Sequence, residues 1–242
     1  MTLIMGILNL TPDSFWEPSR YALDVLRSGA DIIDIGAVST RPGAADVSLE
    51  EEWSRLEPVL KALDGSVRIS VDTTRAEIVR RVFDVVGPFI VNDISAGEDD
   101  EGMLDTVGGL GLEYVAMHKR GNPRTMDGLT DYEGGVVAAL KGYFEGFAVK
   151  AEMAGIKDWI LDPGLGFAKT PEQCMEIILN LEELRVFGRP VLIGASNKRF
   201  TRGRTDEVHS LALEHGADIL RVHDVAAARR LLTLRAQGDP SS

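Results

Sequence analysis

The chain has a single cysteine, Cys174, so no disulfide can close within it and no cysteine-rich metal site can form. A reducing, cytoplasmic setting is the simplest expectation. No apolar run approaches the roughly 20 residues that a helix needs to cross a bilayer. Basic runs are missing too: 26 Lys and Arg against 38 Asp and Glu leave a formal net charge of −12. Nucleic-acid backbones and anionic membranes repel such a surface, so neither is an expected partner. Residues 1–10 are apolar but carry neither a basic leader nor an A-x-A cleavage pattern, and they run directly into Thr11-Pro12-Asp13. They read as a first strand rather than a targeting segment. Linkers and low-complexity stretches are absent apart from a tail at 237–242. With 242 residues and 44% hydrophobic content, one domain over 1–242 can bury a substantial core.

Short apolar runs recur at 3–8, 31–35, 68–71, 89–91, 113–117, 159–161, 191–193 and 219–222. Each reads as a buried parallel strand. Helical patterns lie between them. Ser48 with Glu51, Thr74 with Glu77 and Thr170 with Gln173 each set a capping hydroxyl three residues before an acceptor side chain. Gly65, Gly87, Gly155, Gly188 and Gly216 follow helical stretches as closers. Eight strands alternating with helices predict an α/β fold, a (β/α)8 TIM barrel. Periodicity alone leaves an open doubly wound sheet as the alternative.

The strand ends carry the chemistry. After the apolar runs stand Asn9; Ser39, Thr40 and Arg41; Asp72; Asn92 and Asp93; Met117 and His118; Asp162; Ser196 and Lys198; and Arg221 and His223. A lone polar residue at a strand end is most often a turn former. Eight strands ending this way would gather polar groups at one mouth, the face where barrel active sites are built. Arg221 and His223 stand two apart, a spacing that aims both the same way on a strand. Buried Asp72 and Asp162 would need partners, and a ring with adjacent N–H and NH₂ donors supplies two parallel hydrogen bonds to a carboxylate. Asn92 could add an amide at the ring edge, and Ile7, Ile94, Met117 and Phe167 could wall it. Carboxylates for a nitrogen-rich ring beside cations for an anion suggest a heterocycle that carries phosphate.

Nine segments, in order along nearly the whole chain, resemble the dihydropteroate synthases of the pterin-binding barrel superfamily. They are GILNLTPDSF at 6–15, GADIIDIG at 29–36, STRPG at 39–43, SVDT at 70–73, NDIS at 92–95, MHKRGNPRTM at 117–126, DPGLGFAKT at 162–170, GASNKRF at 194–200 and RVHDV at 221–225. The resemblance implies a transferase of folate biosynthesis. It would join 4-aminobenzoate to 6-hydroxymethyl-7,8-dihydropterin diphosphate, and the family is a sulfonamide target.

Carried over by motif, the resemblance places the pterin against Ile7, Asp72, Asn92, Ile94, Met117, Asp162, Phe167 and Lys198. The diphosphate falls to Asn9, Thr40, Arg41, Arg221 and His223, with Mg²⁺ assisting at Asn9. The 4-aminobenzoate pocket involves Phe15, Pro42 and Ser196. Asp72, Asp162, Lys198 and Arg41 are the implied catalytic set. Two segments are short for the family: 16–28, trimming the first loop and helix, and 199–220, before the last strand. The latter region contributes to the family's dimer contact, so a homodimer is an open expectation. Asn197 stands where an arginine usually precedes the lysine. A pterin-binding paralogue without turnover is one alternative. A methyltetrahydrofolate-dependent corrinoid methyltransferase is the other, and having no diphosphate to hold, it leaves Arg41, Lys198, Arg221 and His223 without a purpose.

Overall fold

The computed structural model describes residues 2–10, 29–38, 47–63, 67–121 and 125–238. Eight strands are present: β1 Leu3–Asn9, β2 Ile32–Gly36, β3 Arg68–Asp72, β4 Ile90–Asp93, β5 Glu113–Met117, β6 Trp159–Asp162, β7 Leu192–Ile193 and β8 Ile219–Val222. They form one parallel sheet in the order β6-β5-β4-β3-β2-β1-β8-β7. The two ends of that order meet, because Leu161 bridges Val191 and its N–H donates to Pro190 O at 2.9 Å. The sheet is therefore a barrel, and the open doubly wound alternative is excluded.

Seven α-helices lie among the described residues: α1 Leu49–Ala62, α2 Ala76–Val86, α3 Met103–Leu110, α4 Val136–Ala154, α5 Pro171–Leu179, α6 Thr205–Glu214 and α7 Val225–Gly238. None is long and apolar enough to cross a membrane. Before the last strand, the chain makes a 3₁₀ turn at Arg199–Thr201 and then the ten-residue α6. The trimmed segment 16–28 and Gly65 lie outside the described residues.

All eight apolar runs became strands. Several extend one or two residues further into polar sequence, since Asn9, Gly36, Asp72 and Asp162 still sit in register across the ladder. Ser48 Oγ accepts the Glu51 N–H, and Thr170 forms the full capping box with Gln173. Thr74 does not cap. The N-cap of α2 is Arg75, with no side-chain cap bond, and Asp100 Oδ2 accepts the Ala76 N–H at 2.8 Å instead. A carboxylate from the loop after β4 thus fills the role expected of the hydroxyl.

Side chains alternate across each strand, and that alternation sorts the barrel into layers. Met5, Ile32, Ile90, Val115, Ile160, Leu192 and Ile219 form a closed apolar cluster of their own, which plugs the barrel interior. A much larger cluster joins the outward faces of the strands to the helices. Two residues beyond the plug, on the same face of each strand, come Ile7, Asp34, Asn92, Met117, Asp162, Gly194 and Arg221. The interior therefore turns from dry to polar within one pleat, toward the C-terminal ends of the strands. The apolar plug forms the floor of the polar layer.

Candidate active site

The centre of the polar layer is Asp34 on β2, with no exposed surface. Its carboxylate accepts from Ser70 Oγ at 2.6 Å, from Asn92 Nδ2 at 3.1 and 3.2 Å, and from Arg221 Nε at 2.6 Å. Arg221 also donates through Nη2 to Asp72 Oδ2 at 2.8 Å. One guanidinium thus bridges two carboxylates, and the network of Asp34, Ser70, Asp72, Asn92 and Arg221 draws on four strands, β2, β3, β4 and β8. Burying a carboxylate is tolerable only with such partners. Burial pushes the Asp72 carboxyl up to about 7, against the pull of Arg221 and with help from Asp34, Asp93 and Glu52. Asp72 can therefore change its protonation near neutral pH.

Asp162 ends β6 and turns the chain through Pro163 and Gly164, whose N–H donates back to Asp162 Oδ1 at 2.8 Å. The carboxyl is raised above its usual range by burial, with Lys198 opposing. Lys198 lies across the mouth on the loop after β7. Its Nζ donates to Leu165 O and sits 5.0 Å from the centre of the Phe167 ring. Burial lowers the ammonium to about 8, and Asp162 holds it up. A cation, a carboxylate and an aromatic face thus come together where the loops after β6 and β7 meet.

The other expected residues divide clearly. Ile7, Ile94 and Phe167 are half-buried, while Met117 is almost fully buried. Asn92 is buried, with its amide nitrogen committed to Asp34. Asn9 is exposed at the end of β1, near Gly36 and Asp72. His223 is exposed, and its N–H and Nδ1 both lie 3.2 Å from Ser196 Oγ, which ties the loops after β7 and β8 together. Phe15, Thr40, Arg41 and Pro42 lie outside the described residues. His118 and Asp93, two further strand-end residues, face away from this layer. Asp93 is taken up by Ser95, Gly97 and Tyr114, and His118 by Lys169.

Two polar residues escaped the sequence reading. Asp34 is hidden in the apolar run IIDIG, where a charge inside a buried strand was the available signal. Lys169, in GFAKT, is 7% exposed and packs beneath the loop after β6.

The comparisons with known proteins agree with this geometry. Residues 5–223 match the family described as pterin binding enzyme. The chain is 39% identical to the dihydropteroate synthase of Synechocystis, over 95% of this chain and 88% of that one. A Yersinia pestis dihydropteroate synthase, solved with a sulfonamide drug complex, superposes with a TM-score of 0.90 at 32% identity, covering 98% and 94% of the two chains. The Thermus thermophilus enzyme, solved with 4-aminobenzoate, gives 0.84 at 38% identity, with 97% and 94% covered. The chain belongs to the pterin-binding enzyme family, among its dihydropteroate synthases.

Proposed function

We propose that the protein condenses 6-hydroxymethyl-7,8-dihydropterin diphosphate with 4-aminobenzoate, giving 7,8-dihydropteroate and diphosphate. The observation that carries this reading is the pairing of two carboxylates, half-buried Asp72 and buried Asp162, with the cations Arg221 and Lys198 at the C-terminal ends of the strands. Asp162 would accept the adjacent ring N–H and NH₂. With its nitrogen held by Asp34, Asn92 offers the ring its carbonyl oxygen. Ile7, Ile94, Met117 and Phe167 wall the ring, and Lys198 lies over the Phe167 face.

Reaction occurs at the pterin methylene. The C–O bond to diphosphate breaks, the bonding pair leaves with the diphosphate, and cationic character develops on the pterin. Asp72 and Asp162 stabilise that charge, and Lys198, Arg221 and His223 stabilise the leaving anion. Arg221 already spans Asp34 and Asp72, which leaves its Nη1 for the diphosphate. Ser196, tied to His223, would border the 4-aminobenzoate pocket with Phe15 and Pro42, and Thr40 and Arg41 would add to the diphosphate site. An aromatic amine is unprotonated at neutral pH, so its nitrogen attacks without a dedicated base and then releases a proton.

Magnesium fits the donors present. No cluster of three or more His, Cys, Asp or Glu side chains able to cage a metal occurs among the described residues. The exposed amide of Asn9 is a hard oxygen donor, and Mg²⁺ takes most of its ligands from water and substrate phosphates. Bound there, it would neutralise charge on the departing diphosphate. The test of the whole reading is diphosphate release with 4-aminobenzoate present and withheld. Release that depends on the amine supports a synthase; no release would leave a pterin-binding barrel of other purpose.

A further inference from the structure

Under the turn that follows β6, Lys169 makes an unusual set of contacts. Its Nζ lies 3.1 Å from Gly164 O, 3.0 Å from Phe167 O, 3.5 Å from His118 O and 2.9 Å from His118 Nδ1. Every partner is uncharged. Burial and the adjacent Lys169 and Arg120 charges lower His118 to about 3, so its ring is neutral and Nδ1 accepts. A buried ammonium with no carboxylate in contact is a poor device for stability, since an apolar side chain would avoid the desolvation cost. Burial lowers Lys169 itself to about 7, and the carboxylate that most supports its charge through space is Asp162.

The contacts fall on the parts that would recognise the pterin. Gly164 is the second residue after Asp162 and donates to its carboxylate, and Phe167 supplies the aromatic wall. Lys198 holds Leu165 O from the cleft side, so the carbonyls of 164, 165 and 167 are all drawn onto ammonium groups, two from below and one from above. The fit is tight as well. A Cβ on Gly164, whose φ is +65°, would stand 2.0 Å from His118 O. Lys169 fastens that close approach of the β5 end to the β6 turn. Tyr132 adds a further clasp, its hydroxyl donating to Ala168 O at 2.9 Å.

We propose that Lys169 is a positioning residue for pterin recognition, its ammonium setting the place of the Asp162 carboxylate and the Phe167 ring by gripping the loop that carries them. The inference rests on the reading of the cleft as a pterin site. It assigns Lys169 no contact with substrate.

The test compares Lys169→Met, which keeps length without charge, and Lys169→Gln, which keeps a donor, with wild type, using thermal melts to confirm folding. Calorimetric titration with the pterin diphosphate should show affinity reduced roughly tenfold or more in both folded variants. The KM for 4-aminobenzoate at saturating pterin diphosphate should stay within about twofold. In Lys169→Ala, n-propylamine should restore pterin affinity while 1-propanol, of similar size and uncharged, should not. A folded variant that binds pterin diphosphate as wild type does overturns the proposal. Equal losses toward both substrates, or rescue by the alcohol, also overturn it, since they would show packing alone. If wild type itself fails to bind the pterin, the reading of the cleft falls, and the role of Lys169 with it.

Discussion

Arg221 Nε and Asp34 Oδ2 meet at 2.6 Å, between residues 187 apart in sequence, and the same guanidinium reaches on to Asp72. The pair sits over the apolar plug of the barrel, on strands that flank β1 from either side. Arg221 therefore does two things. It balances the charge of two carboxylates at once, and it joins β8 to β2 and β3 through side chains alone.

Removing Asp34 should leave Arg221 and Asn92 without their shared acceptor. Asp34→Asn is expected to lower the unfolding free energy by about 3 kcal/mol, the scale for breaking a buried pair by taking one partner. Denaturant titration measures it. A loss under about 0.5 kcal/mol would show that the network does not hold the layer together.

Asp72 makes stability depend on pH in the opposite sense to a carboxylate held below its usual pKa, because desolvation outweighs its ion pair with Arg221. Its folded value of about 7 lies above its usual 3.8, so between those values the folded state holds a proton that the unfolded chain has lost. Stability from this group therefore falls as pH rises from about 4 to about 7, and the loss is complete above that. Asp72→Asn should flatten the decline, read as denaturant midpoints between about pH 5 and pH 8. An unchanged slope would place the proton elsewhere.

Asp162→Asn should remove most pterin affinity while sparing the fold, because an amide presents an NH₂ where the ring also donates. The cost should be roughly 2–5 kcal/mol, the range for truncating a buried charge-assisted pair. Titration with pterin diphosphate decides, and affinity within about twofold of wild type would take Asp162 out of the pterin site.

His223 and Arg221 should separate when two ligands are compared. His223 is exposed and meets Ser196 Oγ through its N–H and Nδ1, so His223→Ala should weaken the diphosphate ester more than the bare hydroxymethyl pterin. Arg221→Ala should weaken both and lower the melting temperature, because two carboxylates lose their bridge. Equal effects of His223→Ala on the two ligands would assign it to the loop rather than the anion.

The strands were legible because their signal is local, each apolar run of three to six residues reading as a buried strand, whereas closure of the barrel rests on the contact of Leu161 with Val191 and Pro190, which no local pattern carries. The polar ends of the strands were legible for the same reason, and Asp162 and Lys198 stand near enough for each to shift the other's ionisation. Asp34 was not, because its meaning lies in partners 36, 58 and 187 residues away. Lys169 was hidden differently. Three of its four acceptors are backbone carbonyls, which leave no mark in the residue identities. Thr74 shows the reverse error, a correct local pattern overridden by Asp100 from a neighbouring loop.

The most direct measurement is the mass of the product formed from 6-hydroxymethyl-7,8-dihydropterin diphosphate at saturating 4-aminobenzoate with Mg²⁺. The account predicts 7,8-dihydropteroate, released together with diphosphate. Hydroxymethyl dihydropterin without dihydropteroate would show water taking the place of the amine, and would contradict it.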